Sequence, residues 1–183
     1  MLKNNKINLG CGTDIRDNFI NVDKFPLNGI DVVHNLSKFP WPFNNGQFDE
    51  AIMINVLEHL PDTIAAIEEL WRILEVGGKA TIRVPYWNCR DAYIDPTHRK
   101  YFHQESLNFY DPSKYQCKKR PYLANARFTI KEITYFTRIS KKWFRIRNSI
   151  IKSILGFFAT YLNNIIWVIE FEIMKIENPV SFK

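Results

Sequence analysis

The chain has 183 residues, 46% of them apolar, enough to bury one sizeable core and too few for two comfortable domains. Its formal charge of +6 suits an anionic partner such as a nucleic acid or an anionic lipid surface, but charge describes association and not fold. Cys11, Cys89 and Cys117 are odd in number and widely spaced, which argues against a disulfide framework or a zinc-ribbon pair and fits a reducing cytoplasm, and glycines interrupt the start before a leader-length apolar run can form.

Short apolar strands alternate with turns and helical patterns through the first half, the mark of parallel strands joined by crossovers. Residues 7–9 are the first strand, broken at Gly10-Cys11-Gly12, and residues 19–22 are the second, closing on Asp23. Only residues 13–18 separate them, fewer than a crossover helix needs, so the first helix shrinks to a turn or so. Residues 31–34 form a third strand that ends at Asn35-Leu36, and the Pro-, Asn- and Gly-punctuated stretch 39–46 is loop. Residues 48–54 form the fourth, running into Asn55-Val56-Leu57-Glu58-His59. A helix then begins near Pro61-Asp62, keeps Ile64, Ile67, Leu70, Trp71 and Leu74 on one face, and stops at Gly77-Gly78. Residues 79–85 are the fifth strand, closed by a proline that cannot continue a ladder.

Beyond it, the aromatic-rich stretch 91–122 is far longer than an ordinary connection and is a candidate lid or substrate region. Residues 128–136 and 171–176 make a closing antiparallel pair. Between them, residues 150–170 are apolar over about the length of a membrane span, but Lys152, Gly156, Asn163, Asn164 and Glu170 favour a buried or interface-seeking helix over a transmembrane one. The basic runs 118–120 and 141–147 give this second half most of the excess charge. The expected organisation is a single unit over residues 1–183. It comprises a cofactor-binding half (1–86), a substrate or lid insertion (87–126), and closing strands with an apolar helix (127–183).

Gly10-Cys11-Gly12, Asp23, Asn35-Leu36 and Asn55-Val56 all fall at the carboxyl ends of parallel strands, where open α/β sheets bind ligands. A glycine turn lets backbone amides approach a ligand closely, and a carboxylate ending the next strand can hold a ribose diol. With 48–60 and Leu70-Trp71-Arg72-Ile73-Leu74 followed by Gly77-Gly78-Lys79, the chain resembles the class I S-adenosylmethionine-dependent methyltransferases over residues 6–86, in particular a small bacterial type. The stretch Asp95-Pro96-Thr97-His98-Arg99-Lys100-Tyr101-Phe102 is similar to one found after the fifth strand in a subset of them.

That resemblance implies a Rossmann-like doubly wound α/β sheet, mostly parallel with an antiparallel closing strand and a shortened first helix. It implies S-adenosylmethionine as cofactor, with Gly10, Cys11 and Gly12 at its methionine half and Asp23 on the ribose hydroxyls. Asn35 and the Leu36 amide would face adenine, and Asn55 and Val56 would lie beneath the sulfonium. Asp14 stands where the family often has a third glycine, and either contacts the methionine amino group or caps the turn; Asn35, equally, is either an adenine partner or a turn former. His59 reads as a packing or capping residue.

Asp95 and His98 are the candidate catalytic residues. Either His98 takes the acceptor's proton or the two pair structurally to fix the loop. The spacing of His98, His103 and Asp95 matches no standard metal pattern, so no metal is expected. The acceptor is read as a small molecule, a saccharide or lipid-linked intermediate. The alternatives are a non-catalytic module that meets a membrane or protein partner through residues 138–170, and an RNA methyltransferase. The second lacks an asparagine-proline-proline-aromatic tetrad after strand four, and a nicotinamide dehydrogenase lacks the full phosphate-binding glycine pattern.

Overall fold

The computed structural model describes residues 5–139 and 142–177. Residues 1–4, part of the start on which the leader expectation rests, and Lys141 of the basic run lie outside them. In chain order the elements are β1 (Lys6–Leu9), β2 (Ile20–Asp23), β3 (Val32–Val33), β4 (Phe48–Ile54), α1 (Thr63–Ile73), β5 (Leu74–Pro85), α2 (Asp91–Ile94), α3 (Tyr115–Lys119), β6 (Phe128–Ile139), β7 (Lys142–Ile146), α4 (Ser149–Tyr161) and β8 (Val168–Lys175). They build one sheet in the order β3-β2-β1-β4-β5-β8-β6-β7. β1 to β5 pair in parallel, and β8 inserts antiparallel between β5 and β6. The closing antiparallel pair expected from the sequence is therefore present, extended by β7 as an edge hairpin strand on β6.

The parallel strands read as apolar runs because they are buried. Ile7, Leu9, Val22, Ala51, Met53, Ile82 and Val84 are buried, and α1 lays Ala66, Ile67, Leu70 and Ile73 against the sheet. Each such large side chain removed from water contributes about 1.5–3 kcal/mol before entropy is counted. Asp62 caps α1, its carboxylate accepting from the Ala65 amide at 2.9 Å. The helix ends at Ile73, not at Gly77-Gly78, because Leu74 is a buried strand residue already paired with Phe48. The two glycines lie in the irregular stretch of β5, where pairing jumps from Phe48–Leu74 to Glu50–Lys79.

No helix joins β1 to β2; the link is made of turns. Side chains do the holding there. The Asn21 amide accepts from the Arg16 backbone N–H at 3.0 Å and from Asn8 Nδ2 at 3.1 Å, and donates to the Arg16 and Phe19 carbonyls at 3.1 and 3.3 Å.

α4 occupies only residues 149–161 of the apolar stretch, and β8 begins at Val168. No described helix is long and apolar enough to cross a membrane. Ala159 is fully buried and the Asn88 side chain donates to its carbonyl, whereas Ile150, Phe157 and Tyr161 stand 70%, 62% and 74% exposed.

Candidate functional site

The glycine turn is forced by close approach. Gly10 has φ +67°, and a Cβ there would meet Val56 Cγ2 at 2.6 Å. The Gly10 and Cys11 amides both donate to the Val22 carbonyl, at 2.8 and 3.0 Å, which bends the chain over the end of β2. Asp23 closes that strand, its Oδ2 accepting from Gly12 N at 2.9 Å and its Oδ1 from Phe25 N at 3.0 Å. A carboxylate has about four acceptor positions, so these two bonds orient it and leave capacity for a diol.

These strand ends open on a cavity of about 900 Å³, within the usual span of small-molecule sites. Of the residues singled out above, Gly10, Asp23, Asn35, Leu36, Asn55 and Val56 line it. Cys11, Gly12 and Asp14 do not. Asp14 instead meets Arg16 at 2.9 Å, and burial together with the Asp23 charge pushes the Cys11 thiol up to about 11, so it stays protonated. Asn35 Oδ1 accepts from the Ser37 amide at 3.0 Å, the turn-forming geometry, while the residue still faces the cavity. The Leu36 carbonyl takes the Trp41 indole N–H at 3.1 Å, which pins this corner to the core.

Lys24, His34, Ser37, Leu60 and Pro61, which sequence reasoning did not assign to the site, also line the cavity. His59 joins them, and Pro96, Thr97 and Arg99 of the stretch after β5 supply a second wall. The Arg99 and Lys100 amides donate to the Glu58 carbonyl at 2.8 and 3.2 Å, which docks that stretch on the turn after β4. The placement of Asp95 to Phe102 in one loop was a usable signal for this wall.

Asp95 and His98 themselves sit one layer behind it. The His98 ring is largely buried and its Nδ1 bonds the Ala92 carbonyl at 2.9 Å. Asp95 Oδ1 accepts from the Thr97 hydroxyl at 2.6 Å, and hydrogen bonds from Thr97 hold its carboxyl below the ordinary range. Thr97 Oγ1 also lies 2.9 Å from His59 Nδ1, and the His59 and His98 rings pack edge to face at 4.7 Å. Burial, then the neighbouring His98, keeps His59 below its ordinary value and hence neutral near pH 7. Glu58, buried beside Asp95, has its carboxyl pushed up to about 7.

A family model described as a methyltransferase domain matches residues 5–82, the half that builds the strand ends of this cavity. Over that stretch the chain is similar to the methyltransferase-domain family. Solved structures similar to this chain bear out the fold. One is a SAM-dependent methyltransferase from Archaeoglobus fulgidus (19% identity, TM-score 0.58, covering 93% of this chain and 85% of that one). A second, from Thermotoga maritima, is titled a possible histamine N-methyltransferase (15%, TM-score 0.55, 91% and 80%). A third is geranyl diphosphate C-methyltransferase from Streptomyces coelicolor, in complex with Mg2+, geranyl diphosphate and S-adenosyl-L-homocysteine (16%, TM-score 0.55, 93% and 71%). No curated protein gives a significant match to the sequence.

Proposed function

We propose that this chain is an S-adenosylmethionine-dependent methyltransferase that acts in the cytoplasm on a small-molecule acceptor, a saccharide or lipid-linked intermediate, and holds the cofactor with the residues at its strand ends. The reading rests on one observation above others, that Asp23, Asn35-Leu36 and Asn55-Val56 share a single cavity with a second wall built by Pro96, Thr97 and Arg99. Asp23 takes the ribose diol, and Asn35 with the Leu36 amide takes the adenine. Gly10 leaves room for the methionine half, Cys11 and Gly12 complete its turn with their amides spent on Val22 and Asp23, Asp14 stands at the outer end, and Asn55 and Val56 form the floor under the sulfonium.

Methyl transfer is an in-line displacement in which the acceptor atom bonds carbon as the sulfonium takes back its electron pair. Alignment and exclusion of water can supply much of the rate. Asp95 and His98 act as positioning residues in this scheme, since Asp95 fixes Thr97 and His98 packs on His59. Isothermal titration with S-adenosylmethionine tests the cofactor assignment. Saturable one-to-one binding that weakens at least about tenfold in Asp23→Ala, roughly 1.4 kcal/mol, is expected. Absence of binding by the folded chain, or unchanged affinity in the variant, overturns it.

A second reading concerns partners. α4 presents Ile150, Ile154, Phe157 and Tyr161 to solvent, Trp143 and Phe144 of β7 are exposed as well, and the chain carries a net +6. This combination fits the surface of an anionic membrane, where apolar burial and charge attraction add. Co-sedimentation with vesicles containing an anionic phospholipid should fall at least severalfold in Phe157→Glu; equal pelleting of the two chains removes the membrane reading.

A further inference from the structure

Behind the cavity wall, Glu58, His59 and His98 bring one ligand atom each to within 4.8 Å of one another. The turn after β4 supplies the first two and the loop after α2 the third, and the bonds from the Arg99 and Lys100 amides to the Glu58 carbonyl clamp the two segments together. Glu58 is 1% exposed, yet neither of its carboxylate oxygens has a hydrogen-bond partner among the described residues. A buried carboxylate in that state is costly unless something positive meets it.

Both imidazoles are already oriented to supply a lone pair. His98 Nδ1–H donates to the Ala92 carbonyl at 2.9 Å, which leaves Nε2 as the basic nitrogen. The Thr97 hydroxyl donates to Asp95 at 2.6 Å, so it accepts from His59 Nδ1–H at 2.9 Å, and His59 too keeps Nε2 free for a ligand. Anchoring one ring nitrogen on a carbonyl or on a carboxylate-backed hydroxyl, with the other left basic, is the outer arrangement of metal-binding histidines.

We infer that Glu58, His59 and His98 form a binding site for a divalent transition-metal cation of the zinc or cobalt type, opening on the cavity through His59. Two imidazole nitrogens and one carboxylate suit such ions and disfavour magnesium, which prefers an all-oxygen shell. Three protein ligands leave a fourth position for water or for a donor atom of the acceptor. His59 belongs both to the cluster and to the cavity lining. Sequence spacing missed the site because Glu58 and His59 lie 40 and 39 residues from His98, and because the carboxylate is Glu58, not Asp95.

The test uses the full chain freed of metal with a chelator and then dialysed, titrated separately with Zn2+, Co2+ and Mg2+ in the absence of S-adenosylmethionine. One-to-one binding of Zn2+ and Co2+, a visible Co2+ absorption band of tetrahedral intensity, and at least tenfold weaker binding of Mg2+ are expected. His98→Ala and Glu58→Gln should each lose the band. Thr97→Val, which removes only the outer support of His59, should weaken Zn2+ by about 10–100-fold with the band retained. His103→Ala, outside the cluster, should bind like the parent. Circular dichroism reports folding for each variant; if a ligand variant unfolds, the parent's Co2+ band and the Thr97→Val shift decide the matter. No saturable Zn2+ or Co2+ binding by the folded parent, or unchanged affinity in Thr97→Val and the folded ligand variants, overturns the site. Those titrations contain no cofactor, so their failure would leave the S-adenosylmethionine reading standing.

Discussion

Gly10 and Gly12 share a positive φ, +67° and +53°, yet face different surroundings. A methyl group on Gly10 would collide with Val56, while around Gly12 nothing lies within 4 Å. Gly10→Ala should therefore cost both backbone strain and displacement of the cavity floor, about 2–4 kcal/mol together, and should weaken S-adenosylmethionine at least tenfold. Gly12→Ala should cost only the strain, about 1–2 kcal/mol. Adding Val56→Ala to Gly10→Ala should restore part of the stability but not all, because φ is unchanged. Urea denaturation and titration of the three chains check the ordering; equal losses in the two glycine variants would show that crowding by Val56 is irrelevant.

Among elements, α1 does more than cover the sheet. From its last turns Arg72 forks onto Glu69 at 2.7 and 2.8 Å and reaches the Phe43 and Trp41 carbonyls at 2.6 and 3.0 Å, and Glu69 accepts the Trp41 amide at 2.6 Å. The clasp fixes the loop whose Trp41 in turn supports Leu36. Partial burial works to raise the Glu69 carboxyl, but its bonds to Arg72 and Trp41 outweigh that and hold it below the ordinary 4.5. A carboxylate depressed in the folded state stabilises above its unfolded pKa, and that contribution is lost as pH falls through the folded value. Thermal melts from pH 6 down to pH 3 should accordingly show a steeper loss for the parent than for Glu69→Gln. Parallel curves would mean that the clasp is not linked to pH.

The same element shows how far sequence reading goes. α1 was legible from its three- and four-residue apolar spacing and from Asp62, but its end was not, since Leu74 continues the apolar pattern while belonging to β5. β7 was hidden for the opposite reason: four of its five residues are exposed, so no burial alternation marks Lys142–Ile146.

At the scale of the molecule, Glu170 ties together the strands on the antiparallel side. It is 3% exposed on β8, and takes Arg83 of β5 at 2.5 Å and Arg145 of β7 at 2.9 Å, with both guanidiniums over the Phe136 ring of β6. Removing Glu170 frees two partly exposed guanidiniums that water can reach, so Glu170→Ala should lose about 1–3 kcal/mol, and Arg145→Ala distinctly less because Arg83 still meets Glu170. Denaturant midpoints decide; equal effects would mean that Glu170 is solvated more than its surroundings imply. Nothing in the sequence disclosed this partnership, because it joins residues 25 and 87 positions apart. The parallel half was easier to read, since each of its ligand-facing positions directly follows a short apolar strand.

The two amides that Arg99 and Lys100 donate to one carbonyl, that of Glu58, make the far wall of the cavity a dependent of the near one. Whatever steadies residues 55–59 also lowers the chance that residues 95–100 lift away, and by thermodynamic reciprocity whatever settles on the loop tightens the hold on the first ligand by the same factor. Such a connection makes the two occupants mutually supportive, whichever arrives first. It should register as slowed hydrogen exchange at the Arg99 and Lys100 amides when S-adenosyl-L-homocysteine alone is added; unchanged exchange there would mean that the two walls act independently.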